Sequence, residues 1–135
     1  MVILDANIIL RYLLNDQPDM AEKAETYLLR GDAVVTTEVI AEVIYVLKGV
    51  YSLERTKIAD TVRTFMDLAE CRDVDVIGSA LDLYAEQNLD FVDCVLYGYH
   101  KVRGAEIATF DRKLSRLTAE SITKANPSDD VAVRG

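Results

Sequence analysis

The chain is short of the residues from which zinc sites, disulfide scaffolds and membrane spans are made. It has one histidine and two cysteines, and neither Cys71 nor Cys94 has a partner at metal or redox spacing. That argues against zinc and leaves two reduced, packed thiols in a reducing compartment. Basic residues are also scarce: 15 Lys and Arg against 23 Asp and Glu leave a net charge of −8. Such a surface does not coat nucleic acid by bulk electrostatics. Nucleic acid as a substrate stays open, because carboxylates gathered around a cation add negative charge themselves. No apolar run approaches the roughly 20 residues that span a bilayer. The opening MVIL lacks the charged and long apolar regions of a leader. A cytoplasmic protein without membrane association is therefore expected. There is no internal repeat and no low-complexity stretch.

What is present is ordinary globular material. The hydrophobic share is 50% and the charged share 28% of 135 residues, enough for one domain with a single core. Short apolar runs at 2–4, 33–36, 74–77 and 106–109 read as strands. Helical periods cover 6–14, 19–30, 37–48, 54–69, 79–88, 91–103 and 111–117, with Gly31 and Gly104 as stops. Alternation of this kind predicts an α/β fold, a three-layer α/β/α arrangement around a central parallel sheet of four to five short strands. Residues 1–126 form the expected domain, and 127–135, with a proline and no apolar face, a mobile tail.

In such a fold, ligands sit beyond the carboxyl ends of the strands. Asp5 ends the first apolar run in "MVILDANIIL", and Asp111 follows the last in "IATFDRKL". Each has an alternative use as a helix cap. In "TTEVIAEVIYVLKG", Val39, Ile40, Val43, Ile44, Val46 and Leu47 make one apolar arc with Glu42 at its margin, while Glu38 lies further toward the polar side. A carboxylate there is paired, protonated, metal-bound or extended to water. In "LDFVDCVLYGY", Asp90 and Asp93 have the spacing of a cap followed by an acidic third residue, so Asp93 too has a structural use.

Taken singly, each acid is explained by a cap or by solvent. Together they would crowd one crevice, where carboxylates repel each other and lose hydration. A hard divalent cation with oxygen ligands removes both costs, Mg²⁺ in particular. Asp5, Glu42, Asp93 and Asp111 are accordingly the expected ligands, and any of them could assist proton transfer. The chemistry that suits such a site is phosphodiester hydrolysis: one ion activates a water and a second, about 4 Å away, stabilises the leaving oxygen. His100 is expected on a helix surface.

With these segments in place, "LDANIIL", "TTEVIAEVIYVL", "DFVDCVLYGY" and "IATFDRKL" resemble, in order and spacing over nearly the whole chain, a PIN-domain ribonuclease, and in particular the VapC-like toxins of toxin–antitoxin pairs. The resemblance puts the family's acidic quartet on Asp5, Glu42, Asp93 and Asp111. It also puts supporting polar groups on Asn7 and Thr109. It implies a Mg²⁺- or Mn²⁺-dependent endoribonuclease using one or two ions, a homodimer, and a cognate antitoxin lying across the site. Asp90 stays as the expected cap.

RNA approaching an acidic protein needs flanking cations. Arg11, Arg112, Lys113 and Arg116 are the candidates for phosphate contacts, with a solvated face as the alternative for each. Tyr97 and Tyr45 could stack on bases, although core packing is the expectation for both. A haloacid-dehalogenase-type phosphatase would want an acid where Asn7 stands. A receiver domain would want a lysine after a late strand and has no use for a mid-helix glutamate. A stand-alone RNA-processing nuclease, or a non-catalytic RNA- or protein-binding module on the same fold, remains an alternative function.

Overall fold

The structure is a computed structural model that describes residues 1–125, with side chains through Ala119. The expected mobile tail at 127–135 lies outside the described residues. In chain order the elements are β1 (Val2–Ile3), α1 (Ala6–Leu14), α2 (Pro18–Leu29), β2 (Ala33–Val34), α3 (Thr37–Gly49), α4 (Arg55–Phe65), α5 (Val74–Glu86), α6 (Phe91–Arg103) and α7 (Arg112–Ala125).

Local chemistry sets several helix ends. Asp5 caps α1, which closes on Asn15 in the left-handed region at φ 49°, with the Asn15 N–H donating to Arg11 O at 3.0 Å. Pro18, whose missing N–H costs nothing in a first turn, opens α2. Thr36 Oγ1 accepts the Val39 N–H at 3.2 Å and starts α3. Helix α6 ends at Gly104, where φ is 69° and a side chain would be strained.

The strands pair in parallel, Val2 opposite Ala33 and Ile3 opposite Val34, and a single parallel bridge joins Val34 to Glu70. Glu70 N–H donates to Ala33 O at 2.8 Å and Glu70 O accepts from Val35 N–H at 2.9 Å, which extends the sheet by one short segment. The fold is thus α/β with parallel pairing, but the described residues contain two strands and one bridge rather than four or five strands. Two expectations account for the difference. Residues 74–77 lie inside α5, because Val76, Ile77, Ala80, Leu81 and Tyr84 bury one helical face. The β-branched run looked like a strand, and tertiary packing overrode it. Residues 106–109 run outside helix and strand with no ladder partner among the described residues.

The core is contiguous. Leu4, Ile9, Val35, Ile40, Ile44, Leu47, Ile58, Phe65, Ile77, Leu81 and Cys94 are all buried in it. Each large aliphatic side chain there contributes about 1.5–3 kcal/mol by leaving water. Helices α5 and α6 pack most extensively on each other, and Gly98 sets how closely. A Cβ built at Gly98 would stand 2.7 Å from Val76 O, nearer than atoms approach. At the same end of the pair, Arg103 donates to Asp73 at 3.0 Å and to Asp75, and Tyr99 OH donates to Asp73 at 2.8 Å. The Tyr99 hydroxyl, followed by the Arg103 guanidinium, holds the Asp73 carboxyl below the usual carboxylate range.

His100 is not a surface residue. It is 5% exposed, its Nδ1–H donates to Ala105 O at 2.9 Å, and it fastens the turn after α6. Both cysteines are free and buried, as expected, and desolvation pushes the Cys94 thiol up to about 12. No helix among the described residues is long and apolar enough to cross a membrane.

Candidate active site

Asp93 is where the acids meet. It lies in the first turn of α6, half-buried, and its carboxyl is pushed above the ordinary value by desolvation first, then by the charges of Asp111 and Asp90. Three acids from two segments distant in sequence therefore share one field. Asp90 occupies the cap position of α6, yet its side chain makes no capping hydrogen bond, so its carboxylate is not committed there. The expectation that Asp90 serves as the cap holds for its backbone only: Asp90 O accepts the Cys94 N–H at 3.1 Å.

The other acids are held by their own backbones. Asp111 Oδ1 accepts the Leu114 N–H at 2.7 Å at the start of α7, and Thr109 Oγ1 accepts the Asp111 N–H at 3.0 Å. Thr109 thus supports the turn that carries Asp111. Asp5 Oδ1 accepts the Ala6 N–H at 2.8 Å at the end of the first strand, with Asn7 exposed one residue further on. Glu42 is exposed on α3. Among the described residues, no three His, Cys, Asp or Glu side chains stand close enough together to hold a metal ion. Like charges avoid each other, and Asp5 and Asp111 have each taken a separate backbone donor.

The flanking cations divide. Arg11 is committed: both oxygens of Asp16 accept from its Nη1 at 2.8 and 2.9 Å, Nη2 reaches Tyr51 OH at 3.3 Å, and its side chain is 11% exposed. Arg112 and Arg116 are exposed and Lys113 half-buried on the first two turns of α7. Arg112 and Arg116 line a groove of about 620 Å³ with Thr109, Phe110 and Ser115. Tyr97 is half-buried, whereas Tyr45 is 78% exposed, against the expectation of core packing. Tyr45 borders a groove of about 530 Å³ between α3 and α6, with Lys48, Arg55, Asp90 and Asp93 also on its wall.

Arg55 gave no signal in the sequence, where an arginine opening an amphipathic helix looks like any solvated cation. In three dimensions it is a clamp. Its Nε donates to Tyr84 O at 2.7 Å and its Nη2 to Leu89 O. Its guanidinium carbon lies 3.7 Å from the centre of the Tyr84 ring. Tyr84 is in the last turn of α5, where carbonyls lack helical partners, and Leu89 immediately precedes Asp90. From α4, Arg55 therefore caps α5 and fixes the connection that delivers Asp90 and Asp93.

Acids after the first strand and at helix starts, beside parallel strand pairing, mark this as an α/β domain with carboxylates around one candidate site. A family model for the PIN domain matches residues 2–120, and the chain belongs to that family. The VapC ribonuclease of Aquifex aeolicus (strain VF5) is 27% identical to it over 139 residues, an alignment that spans 96% of this chain and 99% of the relative. No solved structure gives a significant match.

Proposed function

We propose that the protein is a divalent-metal-dependent endoribonuclease that hydrolyses RNA phosphodiester bonds and acts as the toxin of a toxin–antitoxin pair. The observation that carries the reading is Asp93, a half-buried acid under the charges of Asp111 and Asp90, in a chain whose PIN match runs through all the acidic motifs. The full-length similarity to a VapC ribonuclease supports RNA as substrate and a cognate antitoxin as partner. Homodimerisation and a cytoplasmic setting belong to the same reading.

On this proposal Asp93 and Asp111, with Asp5 and Glu42 drawn in from β1's end and α3, hold Mg²⁺ or Mn²⁺, one ion or two. The donor chemistry fits, since all four offer carboxylate oxygens and the like-charge strain on Asp93 is what a cation relieves. A bound ion would supply positive charge against the phosphodiester and a water acidic enough to attack it near neutral pH. The chain's own part is positional. Thr109 holds the Asp111 backbone, Asn7 offers an amide beside Asp5, and Arg55 fixes the start of α6. Arg112, Lys113 and Arg116 offset the acidic field for an incoming phosphate. Arg11 joins them only if its ion pair with Asp16 opens.

A second reading, a non-catalytic RNA- or protein-binding module, is favoured by one arrangement: Asp5 and Asp111 are engaged as caps, and no three donors converge among the described residues. One experiment separates the two. Millimolar Mn²⁺ raises the melting temperature of a metal-binding nuclease, because the cation binds the folded site and not the open chain. Asp111→Asn, whose amide oxygen can still accept the Leu114 N–H, abolishes both that rise and RNA cleavage without unfolding the protein. An Asp111→Asn variant that cuts RNA at the parental rate retires the nuclease assignment. RNA binding with neither cleavage nor a metal-induced rise establishes the module.

A further inference from the structure

Phe110 stands between the two residues that build the last corner of the site, and its side chain is fully exposed. Single exposed apolar residues are common, but this one is held out by a tied turn. Thr109 Oγ1 accepts the Asp111 N–H at 3.0 Å, and Asp111 Oδ1 accepts the Leu114 N–H at 2.7 Å, so the backbone on its C-terminal side is locked onto α7. The groove beside it, about 620 Å³, is otherwise polar and cationic, with Thr109, Ser115, Arg112 and Arg116 on its wall. Neither arginine takes part in an ion pair among the described residues.

A lone aromatic face among guanidinium groups and hydroxyls does not match an amphipathic helix, which needs a continuous apolar groove. It matches one unpaired nucleotide, with the base against the ring and the phosphates against the arginines. The local excess of positive charge on α7, in a chain of net charge −8, points to the same anionic occupant.

We infer that Phe110 is a stacking platform for an unpaired base of RNA bound beside Asp111, with Arg112 and Arg116 on the adjoining phosphates. The inference rests on the RNA reading above and adds to it that the nucleotide next to the acids must be unpaired.

The chain contains no tryptophan, so Phe110→Trp introduces a lone fluorophore at the proposed contact. In EDTA, where binding is read without cleavage, a short single-stranded RNA of mixed sequence should quench its emission saturably, and the same sequence as a duplex should not. Labelled RNA, followed by anisotropy, should bind Phe110→Ala roughly 5- to 100-fold more weakly than the parent, while Phe110→Trp retains affinity. Melting temperatures should be unchanged, because the side chain is fully exposed among the described residues. Parental RNA affinity in Phe110→Ala, or equal quenching by duplex, overturns the stacking role and leaves the RNA reading standing. A parent protein that binds no RNA overturns both. A Phe110→Ala variant that changes oligomeric state assigns the ring to a subunit contact and likewise overturns the proposal.

Discussion

Replacing Arg55 with methionine keeps an aliphatic stem against Tyr84 but removes the cation and every donor. Two hydrogen bonds to backbone carbonyls, at Tyr84 and Leu89, are lost. Bonds from a charged donor contribute about 1.5–3 kcal/mol each, and stacking on the Tyr84 ring at 3.7 Å adds to that. Arg55 is half-buried rather than enclosed, so water recovers part of the loss. A net destabilisation of about 2–4 kcal/mol is expected. For a domain of this size that lowers the melting midpoint by roughly 10 °C. Arg55→Lys keeps the charge but cannot reach both carbonyls in the planar fork, and it should fall between parent and Arg55→Met. Circular-dichroism melts of the three proteins read the stability. RNA cleavage, assayed well below every midpoint, reads the consequence for the site. If α6 starts in the wrong place, even a displacement of about 1 Å lowers turnover on the order of 100-fold. Arg55→Met melting within about 2 °C of the parent would refute the reasoning, since the clamp would then be no more than a surface contact.

Two further tests probe the α5–α6 pair. In Gly98→Ala the new methyl meets Val76 O at 2.7 Å, a backbone atom that cannot rotate aside. The gain in helix propensity, about 1 kcal/mol, should be outweighed by overpacking of about 1–3 kcal/mol, giving a lower urea midpoint; a higher one refutes the close approach. Tyr99→Phe removes the bond that does most to hold the Asp73 carboxyl below its ordinary value of 3.8. A depressed acid stabilises the fold above its unfolded value, and the contribution disappears as pH falls through the folded value. Tyr99→Phe should therefore be less stable than the parent at pH near 7, and the gap should close below pH 3.8. A gap that is independent of pH in thermal melts contradicts the assignment.

Where local chemistry decides, the sequence was a sufficient guide. Residues 91–103 form α6 with both ends as expected, and its stop at Gly104, in the left-handed region, is decided within one turn. The caps at Asp5 and Asp111 were legible for the same reason. The parallel strand pair was legible as well, from two short apolar runs before helices.

What depended on distant partners was not. Val74, Val76 and Ile77 have the composition of a strand, but Val76 and Ile77 are buried on a helical face that packs against α4 and α6, while Val74 is left exposed. His100 is polar in sequence and buried in space because Ala105 O waits for its ring nitrogen. The field that Asp111 and Asp90 impose on Asp93, and the clamp that Arg55 places on Leu89, exist only once α4, α5, α6 and α7 are packed. The sequence by itself determined the acids, the family's motifs, both ends of α1 and the stop of α6 at Gly104, because each depends on neighbours within a few residues. Tertiary structure alone decided which acids share a field and which cations among the described residues enter ion pairs, because charge and burial act through space and not along the chain.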